Sequence, residues 1–460
     1  ARRRPACERP LGEGLVLTLR APPDGASGMK IGALWRSGAD RHTGFNASDA
    51  VSVPVRASIA RQLALTLSWR TPRLGVPEQE GPVLHVAASL SRTPEGSLAA
   101  AEAADAVAAT LGDLCDLAVV FARPEHAADL EGIGLAVEAR LEPGVLVGAV
   151  AQGVVGPGEE VESGPGVVVW GARLPGADLR PFRAWTVPAR DERMAVAGWP
   201  DCGTTDVVLL LADALSFPTA EVAVRLGERG DAATLTGGAM TGGAGASRFL
   251  LDGVVHDDGA VGVVLRGLDV TPFVSQGCRP VGEPLTVTAV DRNRILELGG
   301  VPAPERLQEV LSSLDDEERD LLERGGLQVG LVLDEVRDTY ATGDFLVRGV
   351  LAVDPERGSV TVGDLPRVGQ TIQFQVRDAV TASADLAATL AGAGPAAGTL
   401  LFTCTGRGRG LFGAPDHDVR TVEAALGGAV AGAFCAGELG PVGGRSHLHG
   451  YTASLLAFHA

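Results

Sequence analysis

Lysine is almost missing from this chain: Lys30 stands alone against 38 arginines, and Asn46 and Asn293 are the only asparagines. A GC-rich coding sequence leaves that bias, so the abundance of arginine carries no functional weight by itself. Also missing is any stretch with the roughly 20 apolar residues that a membrane-spanning helix requires, so insertion into a membrane by helices is not expected. The opening ARRRPACERPLGEG is basic but has neither an apolar h-region nor a cleavage site, and no secretory leader is expected. The six cysteines (7, 115, 202, 278, 404 and 435) include no C-x-x-C pair. Scattered single cysteines fit reduced thiols and a cytoplasmic location. An excess of positive charge is absent too. The net charge of −18 excludes nucleic acid as the main partner, because phosphate binding needs a basic face.

The charge that is present is unevenly spread. Residues 1–80 carry a net +5 and the remaining 380 a net −23. The first part lacks sustained alternation and is punctuated by PP, GASG, TPR and GVP. Residues 1–82 are therefore expected to form a poorly ordered Arg/Pro/Gly-rich extension, partly outside the native product, with Met29 or a later codon as the start. The 460 residues leave room for two or three domains.

From about residue 83 the pattern becomes regular and repeats three times. DLAVVFA (116–122), DVVLLLAD (206–213) and TLLFTCT (399–405) each precede an amphipathic helical stretch, a short apolar strand, a glycine-rich loop and a long strand. Short Val/Leu runs bounded by turn residues suit buried strands, and 3.6-spaced apolar positions suit covering helices. The stretch FCAGELGPVGGRSHLHGYTASLLAF (434–458) is thus the third copy of a structural unit, with its glycines serving close backbone approach and turns. Between the second and third copies, PLTVTAVDRNRILELGG predicts two strands around a turn. ERLQEVLSSLDDEERDLLERGG predicts helix with a cap midway, and four strand segments and a helix follow. TPFVSQGCRPVGEP (271–284) reads as a joint between domains. The expected fold is mixed α/β: domains 83–276 and 277–460, with mixed sheets covered by helices.

GCRPVGEPLTVTAVDRNRILELGGVPA, GDFLVRGVLAVDPERGSVTVGD, QFQVRDA and LFTCTGRGRGLFG…FCAGELGPVGG…LHGYTASLLAF resemble the C-terminal half of the FIST family. The units at 116–174 and 206–267, including LDGVVHDDGAVGVVL, resemble its N-terminal half. The resemblance spans about residues 83–460. It implies a sensory domain that binds small ligands such as amino acids. In bacteria such domains are often joined to signalling outputs, and in eukaryotes a related region belongs to an F-box substrate receptor. No kinase, cyclase, chemotaxis or F-box segment accompanies them here, so a separate signalling partner protein is expected. The resemblance supplies no list of ligand-contacting residues.

The residues themselves suggest where a ligand would sit. Two glycine-rich loops follow apolar strands, the first with Thr403, Cys404, Arg407 and Arg409 and the second with Cys435, Glu438 and His449. An arginine and Glu438 would match the two charged ends of an amino acid, or the arginine alone a small organic acid. The plainer alternative pairs Glu438 with an arginine across the loops. Arg377 with Asp378, and Asp344 with Arg348, read as structural ion pairs near strand ends. A rival class is an enzyme using Cys404 or Cys435 as nucleophile, or a metal, with His447 and His449. No hydrolase signature surrounds either cysteine, and zinc sites need two close ligand pairs where this chain has one. The fingerprint Gly408-Arg-Gly410-Leu-Phe-Gly413, with Glu438 downstream, matches a dinucleotide site only formally, because Pro415 interrupts the helix it should open. No catalytic residue, metal or cofactor is expected.

Overall fold

The computed structural model describes residues 84–460 apart from Asp113, 190–193, 229–232, 243–246, Asp338 and Ala341, together with the backbone of two earlier strands. Those strands, β1 (Leu15–Arg20) and β2 (Lys30–Trp35), pair antiparallel in a unit that ends at Gln79. The rest of the expected extension 1–82 lies outside the described residues. The unit from Glu80 to Ala460 carries everything that follows.

Three copies of one topology build most of it. The first copy runs β3 (His85–Ser91), α1 (Gly96–Leu111), β4 (Leu117–Ala122), α2 (Leu130–Leu141) and β5 (Val145–Val150). A hairpin of β6 (Gly153–Gly156) and β7 (Glu159–Val161) follows, then β8 (Val167–Arg173). The second runs β9 (Asp178–Pro188), β10 (Met194–Ala197), β11 (Val207–Asp213), α3 (Thr219–Glu228) and β12 (Thr234–Met240). Its hairpin is β13 (Phe249–Leu251) with β14 (Val254–His256), and β15 (Ala260–Arg266) ends it. The third opens with β16 (Val270–Ser275) and is interrupted by an insertion. That insertion holds β17 (Cys278–Asp291), β18 (Arg294–Leu298), β19 (Val301–Pro302), α4 (Ala303–Ser313), α5 (Asp316–Gly325), β20 (Leu327–Val332), β21 (Phe345–Asp354), β22 (Ser359–Val362) and β23 (Thr371–Arg377). The copy resumes with α6 (Ala379–Leu390), β24 (Gly398–Cys404), α7 (Gly408–Phe412), α8 (His417–Leu426) and β25 (Ala429–Cys435). The hairpin of β26 (Gly437–Val442) and β27 (Arg445–His449) and the strand β28 (Ala453–Phe458) complete it.

Each copy joins its first two core strands in parallel, β4–β5, β11–β12 and β24–β25, and sets the long strand antiparallel to the first. The parallel pairs need helical crossovers, and α2, α3 and α8 supply them. The same glycine recurs in the second strand of each pair. A Cβ on Gly148, Gly237 or Gly432 would lie 2.4, 2.1 or 1.7 Å from the carbonyl oxygen of Val120, Leu210 or Leu401. Backbone fills that space, so the repeat glycine is required by close approach.

The segments read as glycine loops are hairpins, and each one leaves its own copy. β13 pairs with β5, β26 with β12, and β6 with β25, so the second copy completes the first sheet, the third the second, and the first the third. Strands from both sides of the expected 276/277 boundary therefore share sheets. The segment 271–284, expected as a joint, is strand over most of its length. Pro272 is tolerated there because β16 is a sheet edge, and Pro284 sits where the β17–β23 register shifts.

One face of all three sheets meets in a common core, with Phe121, Leu211, Phe402 and Phe458 all fully buried. Their outer faces are covered by helices. The alanine-rich α1 lays Ala100, Ala103, Ala104 and Val107 on the first sheet, a spacing that keeps one stripe inward. Strands buried on both faces explain why LAVVFA and VVLLLAD read as unbroken apolar runs. The insertion closes on itself as a barrel, because β17 pairs with both β23 and β18. Its α5 begins at the expected mid-segment cap, Asp315 and Glu318 bonding each other's backbone as a capping box. Among the described residues no helix is long and apolar enough to cross a membrane.

Candidate functional site

The chain leaves β24 at Cys404, turns sharply, and enters α7 and α8. Arg407 lies in that turn with 1% of its surface exposed. Its guanidinium grips Asp418 of α8 in a two-pronged ion pair, Nε to Oδ2 at 2.7 Å and Nη2 to Oδ1 at 2.8 Å. Thr403 donates its hydroxyl to Asp418 at 2.7 Å, and His417 Nδ1 lies 3.0 Å from Oδ1. Burial works to raise the Asp418 pKa, but the charge and hydrogen bonds of Arg407 outweigh it, aided by His417 and Thr403, and hold it below the usual carboxylate range. The third nitrogen of the fork, Nη1, has no partner.

Glu438, at the start of β26, has 0% exposure. One carboxyl oxygen, Oε2, accepts from the backbone N–H and hydroxyl of Thr452 at 3.2 and 2.8 Å. The other, Oε1, has no hydrogen-bond partner, and the weakly donating Cys404 thiol lies beside the carboxyl. Burial pushes the Glu438 pKa up to about 8 against the bonds from Thr452 and the charge of Arg407. Burial thus favours the protonated acid in this side chain.

Arg377, at the end of β23, reaches the same place from the barrel. It donates to the Gly406 carbonyl and lies over the Tyr451 ring, 5.3 Å from its centroid. Its Nε is buried without a partner, and no carboxylate among the described residues lies within ion-pair range of it. Arg407 Nη1 and the Tyr451 carbonyl both flank Gly277, where an added Cβ would lie 3.1 and 2.5 Å from them. Glu438, Arg407, Arg377, Cys404 and the Tyr451–Thr452 corner thus form one buried polar cluster where the three-sheet body meets the barrel.

The remaining expected residues go elsewhere. Cys435 points into the common core, its sulfur 3.7 Å from that of Met240. His449 pairs with Glu438 across the β26–β27 hairpin, and its Nε2 bonds the Gly440 carbonyl at 3.0 Å. Burial lowers its pKa to about 3, so it stays neutral. Arg409 is exposed, two residues from a buried arginine, because α7 begins between them. Its backbone N–H donates to Glu162 at 2.8 Å, on the rim of a 480 Å³ groove shared with Glu160, Asp416 and Arg420. Glu160 caps the first turn of α8 through the Val419 N–H at 2.9 Å, and burial raises its pKa to about 7.

The expected ion pairs are exchanged. Arg348 binds Asp364 at 2.8 Å while Asp344 meets Arg337, since four residues along a strand stand about 13 Å apart. Asp378 caps α6 through the Val380 N–H and faces Arg279, because successive strand residues point to opposite sides.

Burial, with Glu438 nearby, pushes Cys404 up to about 12, the opposite of an activated cysteine. His447 and His449 stack edge to face at 5.9 Å, and among the described residues no three metal-type side chains are grouped to hold an ion. Ser383, His417 and Asp418 form a hydrogen-bonded chain, with His417 Nε2 3.0 Å from the serine hydroxyl. Asp418 is already matched by Arg407 there, and Ser383 sits within α6.

Sequence reasoning missed Asp418, Thr452 and the orientation of Arg377. The acidic residue of HDVR in the first helical turn and the Thr of GYTAS were the available signals.

Residues 116–301 match the family described as FIST N domain, and residues 303–441 match FIST C domain. An uncharacterized protein of Mycobacterium tuberculosis is 41% identical over 384 residues, covering 82% of this chain and 100% of its own length. An uncharacterized protein of Mycobacterium bovis is 40% identical over 384 residues, covering 82% of this chain and 99% of its own.

Proposed function

This chain belongs to the FIST family of sensory domains, and on that premise we propose that it is a non-catalytic receptor for a small molecule. The ligand, an amino acid or small organic acid, binds at the buried cluster of Glu438, Arg407, Arg377 and Cys404. A separate partner protein in the cytoplasm reads the bound state.

One observation carries the reading. Glu438 Oε1, Arg407 Nη1 and Arg377 Nε are buried polar atoms without partners, carried by three side chains that all surround the Cys404 thiol. Leaving such a group unmade costs about 1–3 kcal/mol, more when charge is involved. Sites that hold unpaired groups at that cost are the ones a ligand or ordered water completes. The cluster reaches the surface at Arg377, Tyr451 and Thr405, each partly or fully exposed, which gives a small molecule a way in.

A thermal-shift screen of amino acids and small organic acids tests this, because a ligand bound only by the native state raises the melting temperature. Hits lost in Arg377→Leu support the assignment. A screen without any stabilising compound, or with hits indifferent to Arg377 and Glu438, removes it.

A further inference from the structure

The charges around the cluster cancel unequally. Arg407 is matched by Asp418 and Arg348 by Asp364. The cation left over is Arg377. All three unpartnered atoms are donors when Glu438 carries its proton: Arg377 Nε, Arg407 Nη1 and the Glu438 hydroxyl. Three donors and one unmatched positive charge call for an acceptor-rich monoanion, and an ammonium group would meet the wrong sign. On the barrel side the cluster borders Cys278, Val332, Phe345 and Val347, with Tyr340 and Tyr451 packed against them. The first four pack as closed core, and the partly exposed Tyr340 and Tyr451 are the apolar surface a short tail would meet.

Resting on the small-ligand reading above, we infer that the ligand is a short organic monocarboxylate without an ammonium group, its carboxylate held by Arg377, Arg407 and Glu438. The carboxylate accepts from both guanidinium groups and from the protonated Glu438. Binding therefore requires the proton. The titratable and charged groups around Glu438 are Arg407, Arg348, Arg377, Cys404, Cys435 and, across the hairpin, His449. Arg407 and Arg348 are paired, burial keeps both thiols protonated, and His449 is neutral, so among these groups Glu438 is the one that titrates near pH 8.

The experiment uses matched pairs that differ by the amino group: propionate and alanine, isocaproate and leucine, hydrocinnamate and phenylalanine. Affinities are measured by calorimetry on the full chain, with inorganic phosphate as a further probe. At least one carboxylate should bind tenfold or more tighter than its amino acid, and at least tenfold more weakly at about pH 9.5 than at about pH 6.5. Glu438→Gln lacks the titrating proton, so whatever affinity it keeps should be the same at both pH values. Preference for the amino acids, a pH dependence that survives in Glu438→Gln, or phosphate outcompeting every carboxylate overturns the inference while leaving a small-ligand receptor standing. If neither member of any pair binds, both readings fall.

Discussion

Asp418→Asn removes the counter-charge of an arginine that solvent barely reaches. Arg407 is 1% exposed, and Asp418 takes two of its hydrogen bonds. Breaking a buried pair from one side costs about 3–5 kcal/mol, chiefly because the survivor is left charged without a partner. Total stability of a folded domain is about 5–15 kcal/mol, so the variant should fold but unfold at clearly lower urea. Arg407→Met should cost a similar amount, since Asp418 then stands charged among Thr403 and His417. The double variant should be no worse than either single change, giving a coupling of about 3 kcal/mol in a double-mutant cycle. The pH dependence follows the same logic. The folded pKa of Asp418 is depressed, so its contribution is present above about 3.9, the unfolded value, and is lost as pH falls below it. Single changes costing under about 1 kcal/mol, or strictly additive effects, would refute the claim that this pair anchors the β24 turn.

Glu438 works in the opposite direction: its folded pKa is raised, so the native state keeps a proton the unfolded chain has released between 4.5 and about 8. Stability should fall as pH rises through that window, and urea titrations of Glu438→Gln should lack that slope. In native protein, iodoacetamide near neutral pH should modify the half-buried Cys202 faster than Cys115, Cys278, Cys404 or Cys435, which are buried; rapid labelling of Cys404 would revive a thiol mechanism. Gly432→Ala places a Cβ 1.7 Å from the Leu401 carbonyl, so it should cost several times the ~1 kcal/mol of a typical point mutation in thermal melts. A fluorophosphonate probe should leave Ser383 unlabelled, and labelling that disappears in His417→Ala would show a working hydrolase triad instead.

Much of the architecture could be read from residues. DLAVVFA, DVVLLLAD and TLLFTCT announced three buried strands because both of their faces are covered, which leaves no polar alternation to confuse the pattern. The hairpins were less legible. Gly437–Val442 is rich in glycine and proline, and besides the adjacent Arg445–His449 it pairs with Thr234–Met240 some 200 residues away, so its composition read as loop and its second partner could not be read at all. Arg407 and Arg409 are indistinguishable in the motif RGRG, and only the start of α7 between them sends one inward and one to solvent. Glu438 was expected to line a binding site, but its raised pKa depends on burial contributed by β12, β24 and Thr452, which no spacing reveals. Asp418 was overlooked because an acid in a first helical turn ordinarily serves the helix alone.

The circular lending of hairpins also governs how the protein is made. A ribosome delivers the first copy complete with its own β6–β7, yet the edge that receives this hairpin is β25, which follows only after the other two copies have begun. The strand β12 likewise waits for β26, so two exposed edges persist until these strands emerge. Folding of the body is thereby postponed until β25 and β26 are made, and a nascent chain stalled before Gly437 presents sticky strand edges to chaperones and proteases. A chain cut short before them would thus be a product for quality control to remove, and a shortened form with an intact first half would not accumulate.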